Sequence, residues 1–574
     1  MKKHTTTNTK LLFAIIFITG LFFRAYGFAW DSGFHLHPDE RAIILAVLPL
    51  HLPASLAEFL SPQSPLNPHF FAYGNFPMYL LLFSSSVLGH ISSYLTSYDG
   101  VLYVGRVLSL GFDMGTLCLV YFLGKRLVAS RVGLIASFFY AVSVLPIQLS
   151  HFYAVDTLLT FFITLLLYLL IRFYERPTVK KSLALGITFG LALATKISAI
   201  VLIAPLGITI IVDDLLIGIK TVRRWAHFKT HLLRTFPPLF ISVLIILVGT
   251  IVTVIFTEPY VLLDKQEFLT QTAQQAAMTK NPFLFPYTLQ YVGIIHYVYE
   301  IRNFILFGEG TLLSLLGFLG IIFTVFLVYK KDKKQKWAQE AILLTFLFVY
   351  VGVVGNFAVG YMRYLLPIYP IFSVFAALFA ERVLRLLRPF RVLYYFVCVI
   401  FSVSLLLFPL TFLHIYTVPN TRVQATNWIL THIPAGKTLA IEHWDDSLPL
   451  VGQASYTMTT LPLYDPDTTQ KWQAIDQQLA KSDYIIIASM RLAAPLTRLT
   501  NCRVLPPDRC YPMSAAYYHK LFDGTLGFTK VADFTVFPTV PLLNLPINDE
   551  SSDESFTVYD HPHVMIFKKT DKIR

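Results

Sequence analysis

The sequence predicts an all-α polytopic membrane protein with a C-terminal extracytoplasmic α/β domain. Three observations carry that reading. The 574 residues are 55% hydrophobic and only 14% charged, with a mean hydropathy of +0.60, whereas soluble proteins hold roughly 25% charged residues. Apolar runs of about 18 residues or more recur through the first 419 positions, the length a helix needs to cross a bilayer. Past residue 420 the runs stop, and Asp, Pro and Gly become frequent. A soluble multidomain enzyme is therefore excluded. So is a nucleic-acid partner for the net charge of +12, because most Lys and Arg stand in short clusters between apolar runs, where the positive-inside rule accounts for them.

Taken in order, about 11 spans are expected, at residues 11–29, 102–122, 132–150, 152–172, 182–198, 199–218, 237–257, 305–329, 339–360, 363–380 and 392–416. The first follows Lys2 and Lys3 and lacks a small-residue cleavage site, so it reads as a retained span with a cytoplasmic N-terminus. The apolar stretch 77–97 reads as an interfacial or re-entrant helix, because a further crossing there would put Lys125, Arg126 and Arg131 on the wrong side. With this parity those residues fall inside, together with the clusters at 172–181, 220–234, 330–336 and 382–391. Two loops then lie outside, at about 30–101 and 258–303. The domain at 420–574 shows short β-rich runs at 438–442, 483–488, 556–559 and 564–567, with helical candidates at 423–432 and 514–522. On this topology the inner face carries +18, the outer membrane face −4 and the tail −2, so the basic charge is a signal of orientation.

Candidate chemistry gathers on the outer side. Asp39 and Glu40 follow Pro38 just past the first span. Acidic residues after a proline suit any first helical turn, but a carboxylate desolvated beside a bilayer also suits a general base for an acceptor hydroxyl. His35 and His37 alternate with Asp39 and could ligate a divalent metal. Arg24, Arg106, His151, Asp156, Lys196 and Arg363 fall on the same level. Each costs a few kcal/mol in a span unless it faces a polar cavity, so either ion pairs such as Asp156 with Lys196 or a lipid phosphate would explain them. Asp465-Pro466-Asp467 looks like a nucleotide-sugar DxD but reads as a Pro turn, and no phosphate loop is present, so a cytosolic nucleotide donor is not expected. Cys502 and Cys510 either pair or remain thiols, whereas Cys118 and Cys398 sit in spans.

Several of these pieces occur in an order that resembles the GT-C class of membrane glycosyltransferases, in particular the polyprenyl-phosphate-sugar-dependent group of protein O-mannosyltransferases and aminoarabinose transferases. They are His37-Pro38-Asp39-Glu40, Asn67-Pro68-His69-Phe70-Phe71-Ala72-Tyr73-Gly74, Gly105-Arg106, Ser150-His151-Phe152 with Asp156, Gly190 to Lys196, and Arg363-Tyr364-Leu365-Leu366-Pro367. In the tail, Glu442-His443-Trp444-Asp445-Asp446 and Tyr559-Asp560-His561-Pro562 resemble a bacterial subgroup. The resemblance implies Asp39 as the catalytic aspartate and Glu40 as its partner, with Arg106, Lys196 and Arg363 on the donor phosphate. His37, Tyr73, His151 and Asp156 are then substrate-site candidates. It also implies a polyprenyl-phosphate-sugar donor, a glycan, lipid or protein acceptor, a bacterial-type plasma membrane, and inversion at the sugar. The inserted β-trefoil domain of the O-mannosyltransferases is missing, and the tail stands in its place. Two rival readings are a lipid flippase or secondary transporter, which would be expected to show inverted repeats, and a polymer-binding membrane protein.

Overall fold

A computed structural model of the chain describes residues 2–210, 225–330 and 337–570. The part of the 199–218 segment beyond residue 210, and the charged clusters at 220–224 and 331–336, lie outside the described residues. Every other expected span is helical. Among the described residues, seven helices have the length and composition of membrane spans: Asn8–Ala25, Tyr98–Leu127, Val155–Glu175, Leu239–Thr257, Thr311–Tyr329, Met362–Leu387 and Arg391–His432. The rest are shorter. The 132–150 run divides into Ser130–Val142 and Val144–Leu149, because Pro146 has no N–H for the Val142 carbonyl and its ring clashes there. The 182–198 run ends as a helix at Thr195, and Lys196 is extended. Residues 339–360 form Trp337–Val354. The interfacial candidate is Phe76–Gly89, whose 14 residues rise only about 21 Å, short of a hydrocarbon core of about 30 Å.

Local chemistry sets these ends. Tyr98–Leu127 begins at Ser97, whose hydroxyl accepts the Gly100 N–H at 3.2 Å, and finishes with Lys125 and Arg126 at its negative pole. It is the central helix, packed on Ser130–Val142, Val155–Glu175 and Tyr369–Leu387. The first loop returns to this core at Gly74, where a Cβ would stand 1.9 Å from the Ala194 carbonyl oxygen. Only glycine lets the loop backbone lie against the broken end of the 179–195 helix.

The tail is a five-stranded mixed sheet made of β1 (Thr438–Glu442), β2 (Thr457–Leu461), β3 (Tyr484–Ile487), β4 (Phe528–Phe534) and β7 (Val564–Lys569), in the order β2-β1-β3-β7-β4. A two-stranded ribbon of β5 (Thr539–Val540) and β6 (Leu545–Pro546) stands beside it. The first three strands run parallel, and β7 and β4 are antiparallel. Alternation along β3 feeds two cores. Ile485 and Ile487 meet Trp472 and Ile475 of helix Thr469–Lys481, whereas Tyr484 and Ile486 meet Ala425 and Ile429 of helix Thr421–His432. The strand expected at 556–559 is instead a helical turn, Glu554–Thr557, capped by Asp553 through the Ser555 N–H. Its Phe556 and Tyr559 pack into the membrane core. Strands β2 and β4 and helix Thr469–Lys481 were not expected from the sequence pattern. Cys502 and Cys510 are disulfide-bonded.

Candidate active site

Pro38 opens the helix Pro38–Val47, and His37 caps it by accepting the Glu40 N–H at Nδ1, 3.4 Å away. The His37 ring lies between Phe152, at 4.5 Å, and Tyr559 of the tail, at 4.3 Å. Burial, with the charges of Arg363 and Arg106, holds its pKa well below the usual histidine range. This geometry turns Asp39 and Glu40 to different partners.

Glu40 points into the protein and is fully buried. Its oxygens accept from Arg106 Nε at 3.0 Å and a terminal nitrogen at 2.9 Å, and from the Tyr153 N–H at 3.0 Å. The other edge of the same guanidinium meets Asp31 at 3.0 and 2.7 Å, and a fifth hydrogen bond goes to the Phe28 carbonyl at 3.0 Å. All five N–H donors of Arg106 are thereby engaged. No donor remains for a phosphate in this arrangement. Burial would raise the Asp31 carboxyl, but the charge and hydrogen bonds of Arg106 outweigh it and hold the group below the ordinary carboxylate range. Glu40 is pushed upward by burial. Sequence reasoning missed Asp31. The usable signal was a carboxylate at a Gly33 turn facing the level of a span arginine.

Asp39 turns the other way and remains partly exposed, in a salt bridge with Arg363. Arg363 differs from Arg106 in one respect that matters chemically: its Nε is buried without a partner. Its guanidinium lies 5.0 Å from the Tyr361 ring centre. The next residue, Tyr364, links this pair to a second one, because Lys196 sits 4.8 Å from the Tyr364 ring and 5.9 Å from that of Tyr73 while donating to Asp156 at 3.0 Å. Asp39 with Arg363 thus forms one pair, and Lys196 with Asp156, Tyr73 and Tyr364 a second, joined by the adjacency of Arg363 and Tyr364. The tail closes the His37 side through Tyr559, over which Arg491 stacks at 6.0 Å while it donates to Glu554 at 2.6 Å. Arg491 was not singled out by sequence, and Tyr364 only as a member of the 363–367 motif.

Two expected residues are engaged elsewhere. His151 is buried, with its ring nitrogens 2.8 Å from the Ile147 and Tyr26 carbonyls and its ring stacked on Tyr416, so it ties backbone segments together. The His35, His37, Asp39 metal set is not brought together, since His35 stacks on Tyr98 and contacts Asp99 at 3.2 Å. Arg24 is spent on buried Asp113. Asp467 is a structural hub, holding Lys471 at 2.8 Å and the N–H groups of Met513 and Ser514 at 2.7 and 2.9 Å.

Comparison with known proteins agrees with this architecture. Residues 100–253 match the family described as dolichyl-phosphate-mannose-protein mannosyltransferase. The archaeal oligosaccharyltransferase AglB of Archaeoglobus fulgidus, solved with an inhibitory peptide and a dolichol-phosphate, is similar over 95% of this chain and 75% of its own, at 13% identity and a TM-score of 0.50. ArnT of Cupriavidus metallidurans, solved with undecaprenyl phosphate, covers 85% of this chain and 93% of its own at 11% identity and a TM-score of 0.46. No curated protein sequence matches the chain. The chain therefore shares its fold with AglB, and its residues 100–253 are similar to the mannosyltransferase family. The segment similar to the mannosyltransferase family contains Arg106, Asp156 and Lys196.

Proposed function

We propose that the protein transfers a sugar from a polyprenyl-phosphate donor to a hydroxyl acceptor at the outer membrane face, with inversion at the anomeric carbon. The observation that carries this reading is the contrast between the two arginines: Arg106 is saturated by carboxylates, while Arg363 keeps an unpartnered buried Nε beside Asp39. Arg363 is thus a cation still able to receive an anion, with Lys196 one tyrosine away. The dolichol-phosphate in AglB supports a lipid phosphate as that anion. The disulfide in the tail supports an extracytoplasmic location for that domain.

The acceptor oxygen attacks the anomeric carbon while the bond from that carbon to the phosphate oxygen breaks, and the electron pair leaves with the polyprenyl phosphate. Charge grows on the departing phosphate, where Arg363 and Lys196 stabilise it. As Arg363 turns to the phosphate, Asp39 is released from the salt bridge and takes the acceptor's proton. A single displacement inverts the centre. Asp156 holds the Lys196 ammonium in place, and Glu40, through Arg106, fixes the helical turn that carries Asp39.

The test is transfer by the purified protein in liposomes given a panel of radiolabelled polyprenyl-phospho-sugars. Asp39→Asn is expected to lower turnover by ~10²–10⁴-fold, the usual worth of a general base, at an unchanged melting temperature. Arg363→Ala is expected to weaken donor binding. Near-normal turnover in Asp39→Asn would remove that residue from the reaction, and a product retaining the donor's anomeric configuration would exclude single displacement.

A further inference from the structure

The tail carries an apolar surface that the transfer reading does not use. No charged residue occurs from Phe534 to Asn548, and the ribbon of β5 and β6 lies within that stretch. Around its turn Leu542 is fully exposed, Leu543 is 74% exposed, and Leu545 and Ile547 are 57% and 45% exposed. A patch of aliphatic side chains of this kind marks a contact with a protein or a membrane. We propose that the tip of the ribbon inserts its leucines into the bilayer leaflet on the tail's side, so that the tail is held by lipid as well as by the spans.

The ribbon stands where lipid begins. Helix Arg391–Phe412 has 22 residues and rises about 33 Å, so a hydrocarbon core of about 30 Å extends from its first turn to its last. Leu407 and Leu410, in its last two turns, are exposed, as the lipid-facing side chains of a span are. Strand β5 packs on this helix and on the turn Leu413–Tyr416 that continues it. Val536, three residues before β5, packs against the core formed by the membrane helices. Leu542 lies two residues past β5, at most about 7 Å of chain. The leucines are thereby kept at the depth of the headgroups, beside the apolar interior.

Backbone chemistry favours lipid over another strand as the occupant. Val540 and Leu545 are paired across the ribbon, and the Ile547 N–H donates to the Pro538 carbonyl at 2.8 Å. Pro538, Pro541 and Pro546 have no N–H at all. The ribbon thus brings few unpaired donors to the membrane, where each is costly. The same prolines obstruct the addition of a further strand along its edges. The turn still needs polar partners for its own backbone and for Asn544, so its place is the boundary of headgroups and acyl chains. Leu542 occupies a turn position, at a φ of +66°, for which glycine or asparagine is the usual residue. The turn therefore presents an exposed aliphatic side chain at a cost to its backbone.

The proposal does not depend on the transfer reading, and its readout is not activity. Full-length protein lacking its two free thiols (Cys118→Ser, Cys398→Ser) and carrying Leu543→Cys is labelled with bimane. It is placed in phosphatidylcholine nanodiscs with or without lipid spin-labelled high on the acyl chain. The emission is expected to shift to the blue, to be quenched by the spin-labelled lipid and to be shielded from aqueous iodide. Gln470→Cys, at an exposed position of helix Thr469–Lys481 in the same background, should show the reverse. Adding Leu542→Asp should weaken quenching by the lipid at an unchanged melting temperature, since both leucines are exposed. Iodide quenching in Leu543→Cys equal to that in Gln470→Cys overturns the insertion. Shielding from iodide without quenching by lipid overturns it too, and assigns the leucines to a protein partner or a second copy of the chain.

Discussion

Replacing Arg106 tests whether this arginine builds the site or binds the donor. Its side chain, Asp31 and Glu40 are all fully buried, so Arg106→Leu leaves two carboxylates in the protein with no countercharge. Breaking a buried pair in this way costs about 3–5 kcal/mol. For a folding unit of about 400 residues, each kcal/mol moves the melting temperature by ~1–2 °C, so the expected drop is ~3–10 °C. Arg106→Lys retains the charge but offers three hydrogens where five bonds exist. Two charge-assisted bonds are lost, at about 1.5–3 kcal/mol each. Asp31→Asn in the Arg106→Leu background removes one orphaned charge and should restore part of the loss. The assay is thermal unfolding of purified protein in detergent, with donor affinity measured on the same preparation. If Arg106→Lys melts like the wild type while its KM for the donor rises tenfold or more, Arg106 meets the phosphate and the reasoning from its five engaged donors is wrong.

Other outcomes follow from the same geometry. Gly74→Ala forces a Cβ to within 1.9 Å of the Ala194 carbonyl oxygen, so it should displace the loop carrying Tyr73 and weaken donor binding more than a surface Gly→Ala change does, as read by KM against melting temperature. The His561 imidazole, between Asp549 and Asp560, has its pKa pushed from 6.5 up to about 10 because the two carboxylates outweigh its burial. A folded-state pKa raised in this way gives stability that is complete below about pH 6.5 and is lost as the pH rises toward 10. Because Asp560 also accepts from Gln148 and Tyr416, the melting temperature should fall across that window, and His561→Gln should begin lower and show a flatter profile.

The parts of the structure legible in the sequence are those with short-range causes. An apolar run of spanning length is compatible with few other structures in a bilayer, so each such segment is a helix wherever it is described. The position of Lys196, Arg363 and Asp39 near the ends of spans was also readable, since hydropathy places those ends. What an arginine does at that level was not. Arg106 is saturated by carboxylates 66 and 75 positions away, and His69 meets Glu267 across 198 positions, and neither spacing leaves a local pattern. Residues 556–559 illustrate the opposite error. Phe556-Thr557-Val558-Tyr559 has the composition of a strand, but Asp553 caps a helical turn there and the membrane core takes the aromatic side chains. Tertiary contact decided between two local structures of similar propensity.

The buried Asp31–Arg106–Glu40 triad also separates the two adjacent carboxylates, Asp39 and Glu40. A triad of this kind is seldom favoured for stability, because desolvating three charges costs more than apolar packing would. Its effect is on position. Glu40 is joined at once to the central helix through Arg106 and to the backbone of Tyr153, beside the start of helix Val155–Glu175, so the first turn of Pro38–Val47 can neither rotate nor slide. Asp39 is one residue earlier in that turn and must then face about 100° away, toward Arg363. Glu40→Gln is the discriminating change: it keeps the side chain's shape but removes the charge that holds Arg106. If Glu40 acts only by position, turnover falls together with the melting temperature, and the pH dependence of turnover is unchanged. A shift in that pH profile at constant stability would instead put Glu40 in contact with the reacting groups.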